Sequence, residues 1–189
     1  DLRLLTKYVQ WASENDVYHI GMGDAVDFLS PSNRSRLKSA ELYDAAQDVI
    51  DNAASKLESE LFSILAPLKG RFLGLVSGHH YYDHLDGTNT DQRLAEFLGT
   101  RYCGDSMFLR ITFKDDNGHA VNAKIFAAHG SGASTTMAGP LAKLERLNAY
   151  VLSNVMFIGH HHRSHIQMFD TLDVTDRGEA HLTHSTKAI

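Results

Sequence analysis

Apolar positions along the chain alternate between helical and extended spacing. Leu2, Leu5, Val9 and Ala12 recur every three or four residues, which predicts an amphipathic helix over residues 2–14. Asn15-Asp16 interrupts it, and Val17 to Ile20 follows as a short strand ended by the glycine-bracketed turn Gly21-Met22-Gly23-Asp24. Pro31-Ser32-Asn33 predicts an irregular loop. The longest helical pattern runs from Ala40 to Leu65, with Leu42, Ala46, Val49, Ala53, Leu57, Leu61 and Ile64 on one side and Pro67 and Gly70 beyond its end. Arg71 to Val76 reads as a buried strand stopping at Ser77-Gly78-His79-His80, and Asp91 to Leu98 as a short helix. Ser106 to Lys114 and His119 to Ala128 are strands around Asp115-Asp116-Asn117-Gly118, whose Asn-Gly pair marks a hairpin. The second of them ends at His129-Gly130. Ala138 to Val151 predicts a helix with Gly139 and Pro140 in its first turn. Val155 to Ile158 is a buried run stopped by Gly159, with His160, His161 and His162 next. Two more strands are expected near Ser164 to Leu172 and Glu179 to His184. No repeat, low-complexity segment or linker divides the chain, so residues 1–189 are expected to form one α/β domain.

Four of these apolar runs end in a glycine-containing turn that carries Asp or His: Asp24, His79-His80, His129, and His160 with His162. Ligand sites of sheet-based α/β proteins lie beyond the carboxyl ends of the strands. If the backbone stays extended past Gly159, His160 and His162 point one way and His161 the other. Oxygen and nitrogen donors without thiolate suit divalent Mn, Fe or Zn. For residues 160–162 alone, a solvated polar loop accounts equally well for the composition. The four endings together predict a metal site.

Gly23-Asp24-Ala25-Val26-Asp27 resembles the GDxxD motif of the calcineurin-like metallophosphoesterases. Gly78-His79-His80 stands where that family has GNH, His129 where it has an isolated histidine, and Gly159-His160-His161-His162 where it has GHxH. The resemblance covers residues 17 to 162. It implies a four-layer αββα sandwich with two divalent ions, and hydrolysis of phosphate esters by a metal-bound hydroxide. It also implies roles: Asp24 bridges the ions, His129 and His160 ligate one ion, and His162 ligates the other. His80 polarises the phosphate or protonates the leaving group, and Asp27, outside the metals, orients His80 or a loop. His79 replaces the family's asparagine and is expected as a ligand, the alternative being a ring turned outward. The family's first motif, DxH, has no counterpart in Asp1-Leu2-Arg3, so the N-terminal strand is expected to be missing from the sequence in hand.

Composition narrows the function. The chain has 189 residues, 43% hydrophobic and 22% charged, with no apolar run near the roughly eighteen residues that span a membrane. A formal charge of −5 argues against a general nucleic-acid-coating protein, though not against a nuclease whose bound cations supply positive charge. The lone Cys103 excludes an internal disulfide and fits a reducing, cytoplasmic setting. The expected activity is that of a phosphodiesterase or nuclease acting on nucleic acid or nucleotides. A phosphomonoesterase and a non-catalytic metal-binding scaffold are the alternatives. Arg34, Arg36 and Lys38, in the loop after the first motif, either form an exposed basic loop leading into the long helix or fold over the site, where Arg34 and Arg36 clamp substrate phosphate. Tyr81 and Tyr82 either line the pocket or pack, and Ser131, Ser134, Thr135 and Thr136 read as a flexible polar loop. His165, His181 and His184 read as surface or satisfied histidines.

Overall fold

The structure is a computed structural model that describes residues 2–40, 43–132, 134, 136, 138–162 and 164–189. Leu42 and Thr135, named above, lie outside the described residues, as does Asp1. The fold is mixed α/β. By density of internal contacts the chain divides into two compact units, residues 1–105 and 106–189. Among the described residues there are five α-helices, a two-stranded sheet and a five-stranded mixed sheet. No described helix is long and apolar enough to cross a membrane.

The first unit holds α1 (Leu2–Glu14), β1 (His19–Gly21), α2 (Pro31–Ser39), α3 (Asp44–Leu65), β2 (Phe72–Leu75) and α4 (Thr90–Leu98). β1 and β2 pair in parallel, and an isolated parallel bridge joins Leu75 to Tyr102. The core gathers Val9 and Ala12 of α1, Leu65 and Leu68, Leu75 of β2, and Leu94, Ala95 and Leu98 of α4. α4 starts on a capping box, in which Asn89 and Gln92 exchange side-chain and backbone hydrogen bonds, and stops at Gly99 with φ 70°.

Two expectations need correction here. Residues 31–39 form a helix rather than an irregular loop, because Ser30 caps it through the Asn33 N–H and Pro31 sits at its first position. The buried stripe of α3 keeps Leu61 and Ile64 of the expected set against the core, but upstream of them it is rotated. Ala54, Glu58 and Leu65 are buried, whereas Val49 is 67% and Leu57 40% exposed. The cause is a polar residue on the inner face. Glu58 is 4% exposed and receives His84 Nε2 at 2.7 Å and Arg93 Nη1 at 3.3 Å, and that pairing outweighs the apolar count.

The second unit is built from β3 (Ser106–Lys114), β4 (Ala120–Ala128), α5 (Ala138–Tyr150), β5 (Val155–Ile158), β6 (Ile166–Val174) and β7 (Ala180–Ala188). The sheet order is β3-β4-β5-β7-β6. β4, β5 and β7 run parallel, and β3 and β6 close hairpins at the two edges. The Asn-Gly hairpin forms as expected, with Gly118 at φ 86° and Asp115 Oδ1 accepting the Asn117 and His119 N–H groups at 3.0 and 2.7 Å. Leu144 of α5 packs on Phe126, Met156 and Ile158. Strand order and parallel register place His129 and His160 just past the carboxyl ends of adjacent strands.

Candidate functional site

In the first unit the candidate residues meet around one irregular turn. Asp24 follows β1 with φ 51°, a left-handed conformation that costs a non-glycine residue free energy. Its Oδ1 accepts the His80 N–H at 2.9 Å and also the His79 N–H. Asp91, 3% exposed in the first turn of α4, accepts the Gly78 N–H through Oδ2 at 2.8 Å. Two carboxylates therefore take three consecutive backbone N–H groups. Gly78 is required for this approach, since a Cβ there would fall on the Asp24 backbone and carboxylate.

The carbonyl side of the turn is equally occupied. His80 O accepts Phe28 N and Leu29 N at 3.1 and 3.3 Å. Arg34 Nη1 donates to His79 O, to Tyr81 O at 3.1 Å and to Leu29 O at 2.9 Å, and its guanidinium lies 3.8 Å from the centre of the Tyr81 ring. Arg34 thus spends Nη1 on the backbone of the turn. Arg36 is exposed on α2, and the neighbouring Lys38 pairs with Asp83 at 2.7 Å. Asp27 Oδ1 stands 2.7 Å from His80 Nδ1, which leaves Nε2 as the free end of the ring; Asp27 is 87% exposed and His80 35%. Tyr82 is a packing residue. It is 2% exposed and hydrogen-bonds Asp51 and Gln47, and burial first, then Asp51, pushes its phenol upward.

In the second unit His129, 5% exposed, and His160 meet ring to ring, with Nε2 and Nδ1 3.3 Å apart. The backbone past Gly159 is not extended. His160 has φ 74° and His162 φ 51°, so the expected alternation of side chains does not hold. Instead His161 lies against His160, with ring centroids 5.4 Å apart, and its Nε2 is buried without a hydrogen-bond partner. Burial, followed by the neighbouring His160, Lys143 and His129, pushes the His161 imidazole below its ordinary range. His162 is exposed. Among the residues expected to be surface groups, His184 bonds Asp170 at 2.7 Å, and Ser134 Oγ bonds Thr136 O at 2.8 Å.

The 3.3 Å approach of His129 Nε2 and His160 Nδ1 is a hydrogen bond between the rings, and its length also matches the spacing of two ligands on one cation. Two ligands at adjacent corners of a tetrahedral ion, each about 2.0–2.1 Å from it, lie about 3.4 Å apart. Neither the turn-holding role of Asp91 nor the structural use of Arg34 was legible in the residue pattern. An acidic residue opening a helix was the one signal available for Asp91, and it equally describes a helix cap. Comparison of the chain with protein-family models, with curated proteins and with solved structures found no match.

Proposed function

We propose that the chain is a metal-dependent phosphoesterase that acts on phosphodiesters, nucleotide or nucleic-acid linkages among them. The observation that carries this reading is backbone strain. Among the described residues four non-glycine positions have positive φ, and three of them, Asp24, His160 and His162, are expected metal ligands; Asp16 is the fourth. Such conformations cost about 1–3 kcal/mol each and gather where function requires them.

In this reading Asp24, His79, His129, His160 and His162 hold two divalent ions drawn from Mn, Fe and Zn, and the associated fold is the four-layer αββα sandwich. The bound ions would supply a nucleophile at neutral pH and offset phosphate charge. The chain's own contribution is proton transfer and positioning. Asp27 holds His80 through Nδ1 and so aims Nε2 at the leaving oxygen, which Nε2 would protonate only from the ring's doubly protonated form. Arg36 contributes positive charge for the phosphate, while Arg34 keeps the His79-His80 turn in shape.

The test is metal content and turnover of bis-p-nitrophenyl and mono-p-nitrophenyl phosphate with added Mn²⁺. Diester turnover should exceed monoester turnover and vanish in Asp24→Asn combined with His160→Ala. Turnover that survives both substitutions would overturn the site. Two tightly held ions without turnover would favour a metal-binding scaffold.

A further inference from the structure

The five-stranded sheet contains a gap one strand wide. β5 has four residues, whereas its neighbours β4 and β7 have nine each. β5 pairs only with residues 125–128 of β4 and 186–188 of β7. One residue upstream, Asn154 still joins the two strands. Its N–H donates to Lys124 O at 2.8 Å, its Oδ1 accepts Lys124 N–H at 2.8 Å, and its carbonyl accepts Thr186 N–H at 2.8 Å. Residues 120–123 of β4 and 180–185 of β7 then continue, each paired with its own hairpin strand. Two strand spacings of about 4.8 Å separate them where the gap opens.

Backbone groups face this gap from both sides. In an antiparallel ladder, pairs that exchange backbone hydrogen bonds alternate with pairs that do not, and the latter bring side chains close. Thr112 Oγ1 and Asn122 Oδ1 are 2.7 Å apart across β3–β4, and Asp170 Oδ1 and His184 Nδ1 are 2.7 Å apart across β6–β7, which marks both as non-bonded pairs. The same phase follows from Lys124 and Thr186, two residues away, whose backbone groups bond Asn154. The N–H and C=O of Asn122 and of His184 therefore point into the gap. A cavity of about 360 Å³ opens there, lined by Asn122, Lys124, Asn154, Thr183 and Ser185. The strand arms turn polar residues to the cavity, and Val151 and Leu152 ahead of β5 line the rest of it. The opposite face of the same arms carries Val121, Leu172 and Leu182, which are 68%, 71% and 50% exposed.

We propose that this gap receives an extended peptide segment of a partner protein, laid along the line of β5 and hydrogen-bonded to β4 and β7 at once. Main-chain bonds on both sides give affinity, and the two unlike faces select alternating polar and apolar side chains. A helix is too wide for the space, and a compact ligand would leave the Asn122 and His184 backbone groups unmatched on one side. The surface is independent of the proposed phosphoesterase site.

The test uses the isotope-labelled whole chain and the peptide acetyl-Lys-Thr-Val-Thr-Val-Thr-Lys-amide, read by amide shifts and hydrogen exchange. The Asn122 and His184 amides should shift and gain protection. A twin peptide N-methylated at both valines should bind about tenfold more weakly or worse, through lost main-chain bonds. Thr183→Trp, which fills the cavity, should abolish binding while the circular dichroism spectrum stays unchanged. Absence of shifts at Asn122 and His184 with millimolar peptide would overturn the proposal. So would shifts confined to the outer edges of β3 and β6, or equal binding of the methylated twin.

Discussion

Replacing Asp91 by alanine tests whether the His79-His80 turn is held by side chains. Asp91 is 3% exposed and takes the N–H of the buried Gly78 at 2.8 Å. Asp91→Ala leaves that N–H without its acceptor, at a cost of about 1–3 kcal/mol for an unmatched buried group. It also removes a carboxylate from the first turn of α4, where the helix dipole favours negative charge by about 0.3–1 kcal/mol. The expected loss is about 2–3 kcal/mol. Asp91→Asn keeps an acceptor oxygen and loses only the charge, so it should cost about 1 kcal/mol or less. Urea unfolding followed by circular dichroism measures both losses, and hydrogen exchange at the Gly78 amide reports the local bond. A loss below about 0.5 kcal/mol for Asp91→Ala, or equal losses for the two variants, would refute the reasoning.

Glu58→Ala should cost about 1–3 kcal/mol, since it leaves the buried His84 Nε2 without its partner while Arg93 keeps Asp86; a loss below about 0.5 kcal/mol in urea unfolding would contradict the network. His161 should titrate below the ordinary imidazole value of about 6.5 in ring-proton NMR, and Lys143→Met should raise it. Because its folded value is depressed, the stability linked to His161 is present above the unfolded value and is lost as pH falls through the folded one. A titration at or above the ordinary value refutes the burial argument. His162→Gly, at φ 51°, should raise unfolding stability by about 1 kcal/mol while lowering bound Mn²⁺; a loss of stability would show that the backbone there is unstrained. His79→Asn should retain metal where His79→Ala loses roughly ten- to hundred-fold in affinity, and equal metal titrations would remove His79 from the ligand set.

The elements were legible where one physical effect dominated. Ser106–Lys114 and Val155–Ile158 form over the residues their apolar patterns predict, because period and turn chemistry agree. The long helix shows where pattern fails. Its apolar positions point to one face, and Leu61 and Ile64 pack on the core, yet near the middle a buried Glu58 bonded to His84 and Arg93 turns another face inward. Pairing across residues 58, 84 and 93 leaves no periodic trace. The same holds for Arg34, whose acceptors are carbonyls of residues 29, 79 and 81. Its residue type suggested phosphate, but carbonyl oxygens use the same donors.

The histidine run separates composition from conformation. Its residue types were enough to suggest ligands, but the choice among three adjacent rings depended on an extended backbone. Left-handed φ at His160 and His162 removes that premise, brings His161 against His160, and leaves the 3.3 Å approach of His129 to His160 as the defined geometry. Gly159 bonds Ala128 O through its N–H, so the bend begins while the chain is still tied to β4. A relaxed loop would place glycine or asparagine at the next left-handed positions, at little cost. Histidine at both accepts strain that packing alone does not explain, and side chains that must point at a common charge would explain it.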